Sequence, residues 1–233
     1  MFSRSSIRNY RIDPEESSSF TMSVRQYDGL FDDAANILFL PELGVPRDSY
    51  QNGFSRLLSG KHPVTLFDFS KKKILSADSI YAALDTVATK RSEYYSDLPL
   101  VFVTHGSSAL LLPRFLNRFD KPVQGVYSFF PTNNLVLPYS DSHPEGIVSY
   151  SAAVDLSDSI FQDIPLRVVR SYTGDFSPVS SEDTHVVQRD AWANVPSLIN
   201  SLHSIVSSSE FNRRKDSSVL ADLKDFMRKK SIK

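Results

Sequence analysis

The chain has 233 residues, 41% apolar and 12% aromatic, which is enough for one large domain with a real core. Its net charge of −1 hides basic ends: residues 1–12 carry Arg4, Arg8 and Arg11 with no acid, and residues 210–233 hold eight Lys/Arg against four Asp/Glu. Taking these ends (+3 and +4) from the total leaves −8 on residues 13–209, which argues against a nucleic-acid surface spread over the body. The absence of Cys and the lack of any i, i+3 or i+4 pair among the five His argue equally against a disulfide frame or a metal enzyme.

In chain order, the first segment is Met-Phe-Ser-Arg-Ser-Ser-Ile-Arg-Asn-Tyr-Arg-Ile, which can lay Phe2, Ile7 and Tyr10 against a basic face. Residues 1–19 read as a basic tail or a mitochondrial presequence; with a presequence the protein is mitochondrial, otherwise cytoplasmic. Ile37-Leu38-Phe39-Leu40 is a short strand closed by Pro41, with a turn at Glu42-Leu43-Gly44. A helix is expected from Asp48 to Leu58, stopped by Gly60, and a strand from Val64 to Phe67. After the solvated run Lys71-Lys72-Lys73, Ser76-Ala77-Asp78 caps a helix that buries Ile80, Leu84, Val87 and Ala88.

Leu98 to Val103 is a continuous apolar run, the pattern of a strand buried on both faces. It breaks into His105-Gly106-Ser107-Ser108 before a helix-like run from Leu110 to Phe119, whose Pro113 should bend that helix or delay its start. Gly125 to Phe130 and Leu166 to Val169 read as further strands. Val195 to Val206, with Leu198, Leu202 and Ile205 in register, reads as a helix. Strands separated by helix-length segments give an α/β fold with a mostly parallel twisted sheet and helices on both faces. Residues 131–163, rich in Pro, Ser and Asp, read as an excursion between two strands, either a surface loop or a segment over the carboxyl ends of the strands.

Residues 208–233 lie beyond this series and read as a basic amphipathic helix. Val219, Leu220, Leu223, Phe226 and Met227 share a face, with Arg228, Lys229 and Lys230 in the last turn. Such a helix packs on its own body or docks on a protein partner, and RNA or anionic-membrane contact is open only to residues 213–233. No apolar run reaches the roughly 20 residues of a transmembrane helix.

Taken in order, residues 20–207 resemble the α/β-hydrolase fold, with little or no cap domain. Ile37 to Gly44 resembles that family's strand and oxyanion loop, with Pro41-Glu42 where His-Gly stands in the family. Thr104-His105-Gly106-Ser107-Ser108 resembles its Gly-x-Ser-x-Gly turn, in which a strained bend lifts the nucleophile off the sheet. Aligning the strand ends puts Gly106 at the nucleophile position, where it relieves strain but has no oxygen to attack with. Shifting by one residue gives Ser107 that role and leaves His105 where a small residue is needed. Asp175, shortly before Pro178, resembles the family's acid. No His occupies the loop Arg189 to Asn194 where the base should stand, and His185 and His203 read as structural.

The resemblance thus implies a hydrolase-like chain without its triad, serving as a scaffold, a complex subunit or a module for a small acyl or ester ligand, with no cofactor and no metal. Glu42 would oppose an oxyanion electrostatically. Two alternatives stay open: a serine hydrolase or acyltransferase using Ser107, Asp175 and His185, and an acid–base site of Glu42, His105 and Asp175.

Overall fold

In the computed structural model of the chain, the described residues are 5–28, 34–50, 62–71, 75–129, 131–155, 159–164 and 166–169. Its central strands are mostly apolar, with buried Thr65, Thr104 and Ser128 among them, and the reason is burial on both faces. β3 (Asn36–Leu40), β4 (Val64–Leu66), β5 (Leu100–His105), β6 (Gly125–Phe129) and β9 (Leu166–Val169) pair in parallel in the order β4-β3-β5-β6-β9. One register row crosses them as Leu38, Phe102, Val126 and Leu166, all buried. On the opposite pleat Ile37, Phe39, Val101, Val103 and Tyr127 are buried as well. Neither face of these strands can carry a polar residue cheaply, so the alternation of a half-exposed strand is absent.

Outside this block lie β1 (Ser5–Ile12) and β2 (Phe20–Tyr27), giving a seven-stranded sheet of order β1-β2-β4-β3-β5-β6-β9. β2 runs antiparallel to both β1 and β4. Residues 5–12 are therefore a sheet strand, which corrects the reading of residues 1–19 as a tail. β1 pairs with β2 along its whole length, from Ser5↔Tyr27 to Ile12↔Phe20. Its exposed arginines are what an outermost strand carries to discourage further pairing.

α1 (Ala77–Tyr94) begins where Ser76 takes an extended conformation and its hydroxyl accepts from the Ser79 N–H at 3.3 Å. Ile80, Ala83, Leu84, Val87 and Ala88 form its buried face against the sheet row above. At its end the Asn36 amide donates to the Arg91 carbonyl at 3.1 Å, tying the helix to the start of β3.

The helix expected from Leu110 to Phe119 is realised differently. A 3-10 segment spans Gly106–Leu111, and α2 covers only Leu112–Leu116. Pro113 has no N–H to give, so regular α-geometry starts with it in the first turn. Between β6 and β9 the chain forms a hairpin of β7 (Asn134–Pro138) and β8 (Ile147–Ser151), then the single turns α3 (Ala152–Asp155) and α4 (Ile160–Asp163). The hairpin packs against the 3-10 segment that follows β5. The helix expected from Asp48 to Leu58 is met by a 3-10 turn at Arg47–Tyr50, and residues 51–61 lie outside the described residues. Residues 171–233, with the expected helices at 195–206 and 208–233, also lie outside them. Among the described residues no helix is long and apolar enough to cross a membrane.

A strand and a loose tail respond differently to truncation of their apolar residues. Ile12 is fully buried in the main core, whereas Ile7 is 51% exposed. Ile12→Ala should lower the unfolding free energy by about 2–5 kcal/mol, and Ile7→Ala by less than about 0.5 kcal/mol, in urea titrations. Equal, negligible effects would contradict the pairing of β1.

Candidate functional site: the turn after β5

β5 ends at His105, and the chain turns at Gly106 with φ +62, a left-handed conformation that glycine adopts without steric cost. A second such residue, Gly44 with φ +80, sits in the loop after β3. There the Val45 N–H donates to the Glu42 carbonyl at 3.1 Å, closing a turn with Gly44 at its third position, where positive φ is required. The Gly44 N–H donates to the Phe69 carbonyl at 3.1 Å and anchors that turn on the chain beyond β4.

These two glycine turns face each other, and the Glu42 side chain bridges them. Its carboxylate accepts from the Ser107 N–H, with both oxygens at 3.1 Å, and from the Ser107 hydroxyl. A Cβ built on Gly106 would overlap Glu42 Oε2 and Cδ. The carboxylate therefore occupies the place where any other residue at 106 would begin its side chain. Burial raises the Glu42 pKa above its ordinary value, and the hydrogen bonds from Ser107 only partly offset this.

Beside the carboxylate, the Tyr50 hydroxyl accepts from the Glu42 N–H at 3.0 Å and shares a hydrogen bond with His105 Nδ1 at 2.8 Å. The two rings meet edge to face at 5.7 Å, and Phe39 supports Tyr50 from behind at 5.3 Å. Burial lowers the His105 pKa to about 4, so the imidazole is neutral at pH 7. Ser108 Oγ lies 2.9 Å from the Leu40 carbonyl and 2.8 Å from that of His105, stitching the turn to the end of β3. Thr104 donates to Ser128 at 2.8 Å one residue earlier.

Of the residues expected from sequence, Glu42, His105, Gly106 and Ser107 come together here. Asp175 and His185 lie outside the described residues. Tyr50 was not anticipated: a tyrosine inside an expected helix carries no mark of a site.

The sheet order, with a glycine turn between β5 and a helical segment and a facing loop after β3, is that of an α/β-hydrolase-like fold. No family model matches the chain, and no curated protein does. Solved structures do. The peroxisomal α/β-hydrolase Lpx1 of Saccharomyces cerevisiae matches at a TM-score of 0.45 and 12% identity, covering 56% of this chain and 45% of that one. A Pyrococcus furiosus esterase, Pf2001, matches at 0.43 and 18%, covering 54% and 52%. A thermostable carboxyl esterase from Bacillus coagulans matches at 0.42 and 10%, covering 53% and 44%. The chain spans about half the length of these structures.

Two consequences of the geometry are measurable. Because His105 titrates near 4 when folded and near 6.5 when unfolded, the unfolded chain binds the proton first as pH falls. The stability it contributes is complete above pH 6.5 and is lost as pH falls towards 4, about 2 kcal/mol of it by pH 5. Glu42 acts in the opposite direction, since its raised pKa favours the acid form in the fold and makes stability fall as pH rises above 4.5. Chemical denaturation at pH 7 and pH 5 should therefore show a steeper loss in the native chain than in His105→Gln.

Gly106→Ala is the second. It adds left-handed strain of about 1–2 kcal/mol and drives its methyl into the Glu42 carboxylate. Thermal melts should place it below the native chain by more than the strain alone, and Glu42→Ala in the same chain should remove that excess.

Proposed function

We propose that this chain is an α/β-hydrolase-like protein without ester-hydrolysing chemistry at its elbow, acting as a binding module or subunit. The observation that carries the reading is the Glu42 carboxylate lying over Gly106 and bonded to the Ser107 N–H. In α/β-hydrolases the oxyanion hole is made by the N–H after the nucleophile and an N–H from the loop after the third strand. Here the donor after the bend, the Ser107 N–H, serves Glu42. An acyl oxygen approaching that hole meets a carboxylate already in it, and no hydroxyl stands at position 106 to attack. Loss of one oxyanion donor alone costs about 10²–10³ in rate, and loss of a nucleophile far more.

One observation favours a different reading, a serine hydrolase or acyltransferase, because the Ser107 hydroxyl donates to Glu42 and nucleophile–base pairs begin with such a contact. In that arrangement, however, the base and the substrate oxygen compete for one hole. A fluorophosphonate probe separates the two readings. The expected result is no covalent adduct on the native chain at pH 5 to 9, by intact-mass analysis. An adduct on Ser107 that disappears in Ser107→Ala would establish the hydrolase reading instead. A protein partner is part of the proposal, and native purification at low salt should recover the chain in a stoichiometric complex rather than as a lone monomer.

A further inference from the structure

We infer that the elbow is a carboxylate-binding cradle whose resident ligand is Glu42 itself, and that removing this side chain leaves a site for a small free carboxylate such as formate or acetate. Two donors define the cradle: the Ser107 N–H and the Ser107 hydroxyl. Both are aimed at one carboxylate, and acceptor-only chemistry is what such a set matches. The facing wall is an absence of atoms: Gly106 has no Cβ, and the carboxylate fills the space that a Cβ would take. Nearby charge does not oppose an anion, because His105 is held neutral and the Tyr50 hydroxyl takes the Glu42 N–H.

The cradle joins parts of the chain that are 65 residues apart, the loop after β3 and the turn after β5. Once vacated, it presents buried donors without partners, which are costly to leave unmade and are satisfied equally well by an anion supplied from solution. Glu42→Ala removes Cγ and the carboxylate, so the space it opens is that of a small carboxylate, and formate supplies the two oxygens alone.

This inference rests on the donor geometry and not on the absence of turnover, so its test is separate from the probe labelling above. Glu42→Ala is melted in sodium formate and in sodium chloride at equal ionic strength, beside the native chain and the double variant Glu42→Ala/Gly106→Ala. Formate at about ten times its Kd should raise the Tm of Glu42→Ala by about 3–5 °C over chloride. It should leave the native chain unchanged, its cradle being full, and the double variant unchanged, its cradle being closed by the new methyl group. If Glu42→Ala does not fold in chloride, refolding yields are compared instead, and recovery only in formate supports the cradle. Equal melting in both salts, formate effects of the same size in all three proteins, or no refolding in either salt would overturn it.

Discussion

Two groups claim one volume at the end of β5, the carboxylate of Glu42 and the side chain of whatever residue stands at 106, and only glycine lets the first have it. That exclusion organises the site. It fixes the left-handed turn at Gly106, since a glycine needed for space also tolerates φ +62. It aims the Ser107 N–H and hydroxyl at Glu42 and not at a ligand. It also brings the loop after β3 against β5, where Ser108 holds the Leu40 carbonyl and Tyr50 meets His105.

The sheet supplies the rigidity on which this depends. β3 and β5 are adjacent, paired from Asn36↔Leu100 to Leu40↔Thr104, so the loops leaving their carboxyl ends emerge side by side. Their register row is packed beneath α1 and α2, with Phe102 edge-on to Phe115 at 5.7 Å. Rigid strands let a carboxylate and its donors, 65 residues apart, hold hydrogen-bond distances of 3.1 Å without a flexible search.

Sequence made the central strands plain, because residues buried on both faces must be apolar throughout, as in Ile37 to Leu40 and Leu100 to Val103. It hid β1 and β2, whose outward positions alternate Arg and Ser with inward Met22 and Val24. In β2 that alternation, Thr21-Met22-Ser23-Val24-Arg25, was the available signal. In β1 the arginines of an edge strand and those of a basic tail look the same. At the site, sequence singled out Gly106 and Glu42, and the structure brings the two together. What sequence could not express was that the two are one feature, since neither residue carries any mark of the contact between them.

That contact also holds the turn in its shape. Donors arranged for an anion and buried without one cost about 1–3 kcal/mol each, so an emptied cradle strains the fold at the point where three segments meet. A carboxylate placed there by the chain itself removes most of that cost. It brings a cost of its own, the desolvation that raises the Glu42 pKa. Filling the cradle in this way requires a glycine opposite. A hydroxyl-bearing side chain at 106 would enter the space that Glu42 holds. Glu42 and Gly106 therefore stand as a coupled pair, and neither can be enlarged without displacing the other.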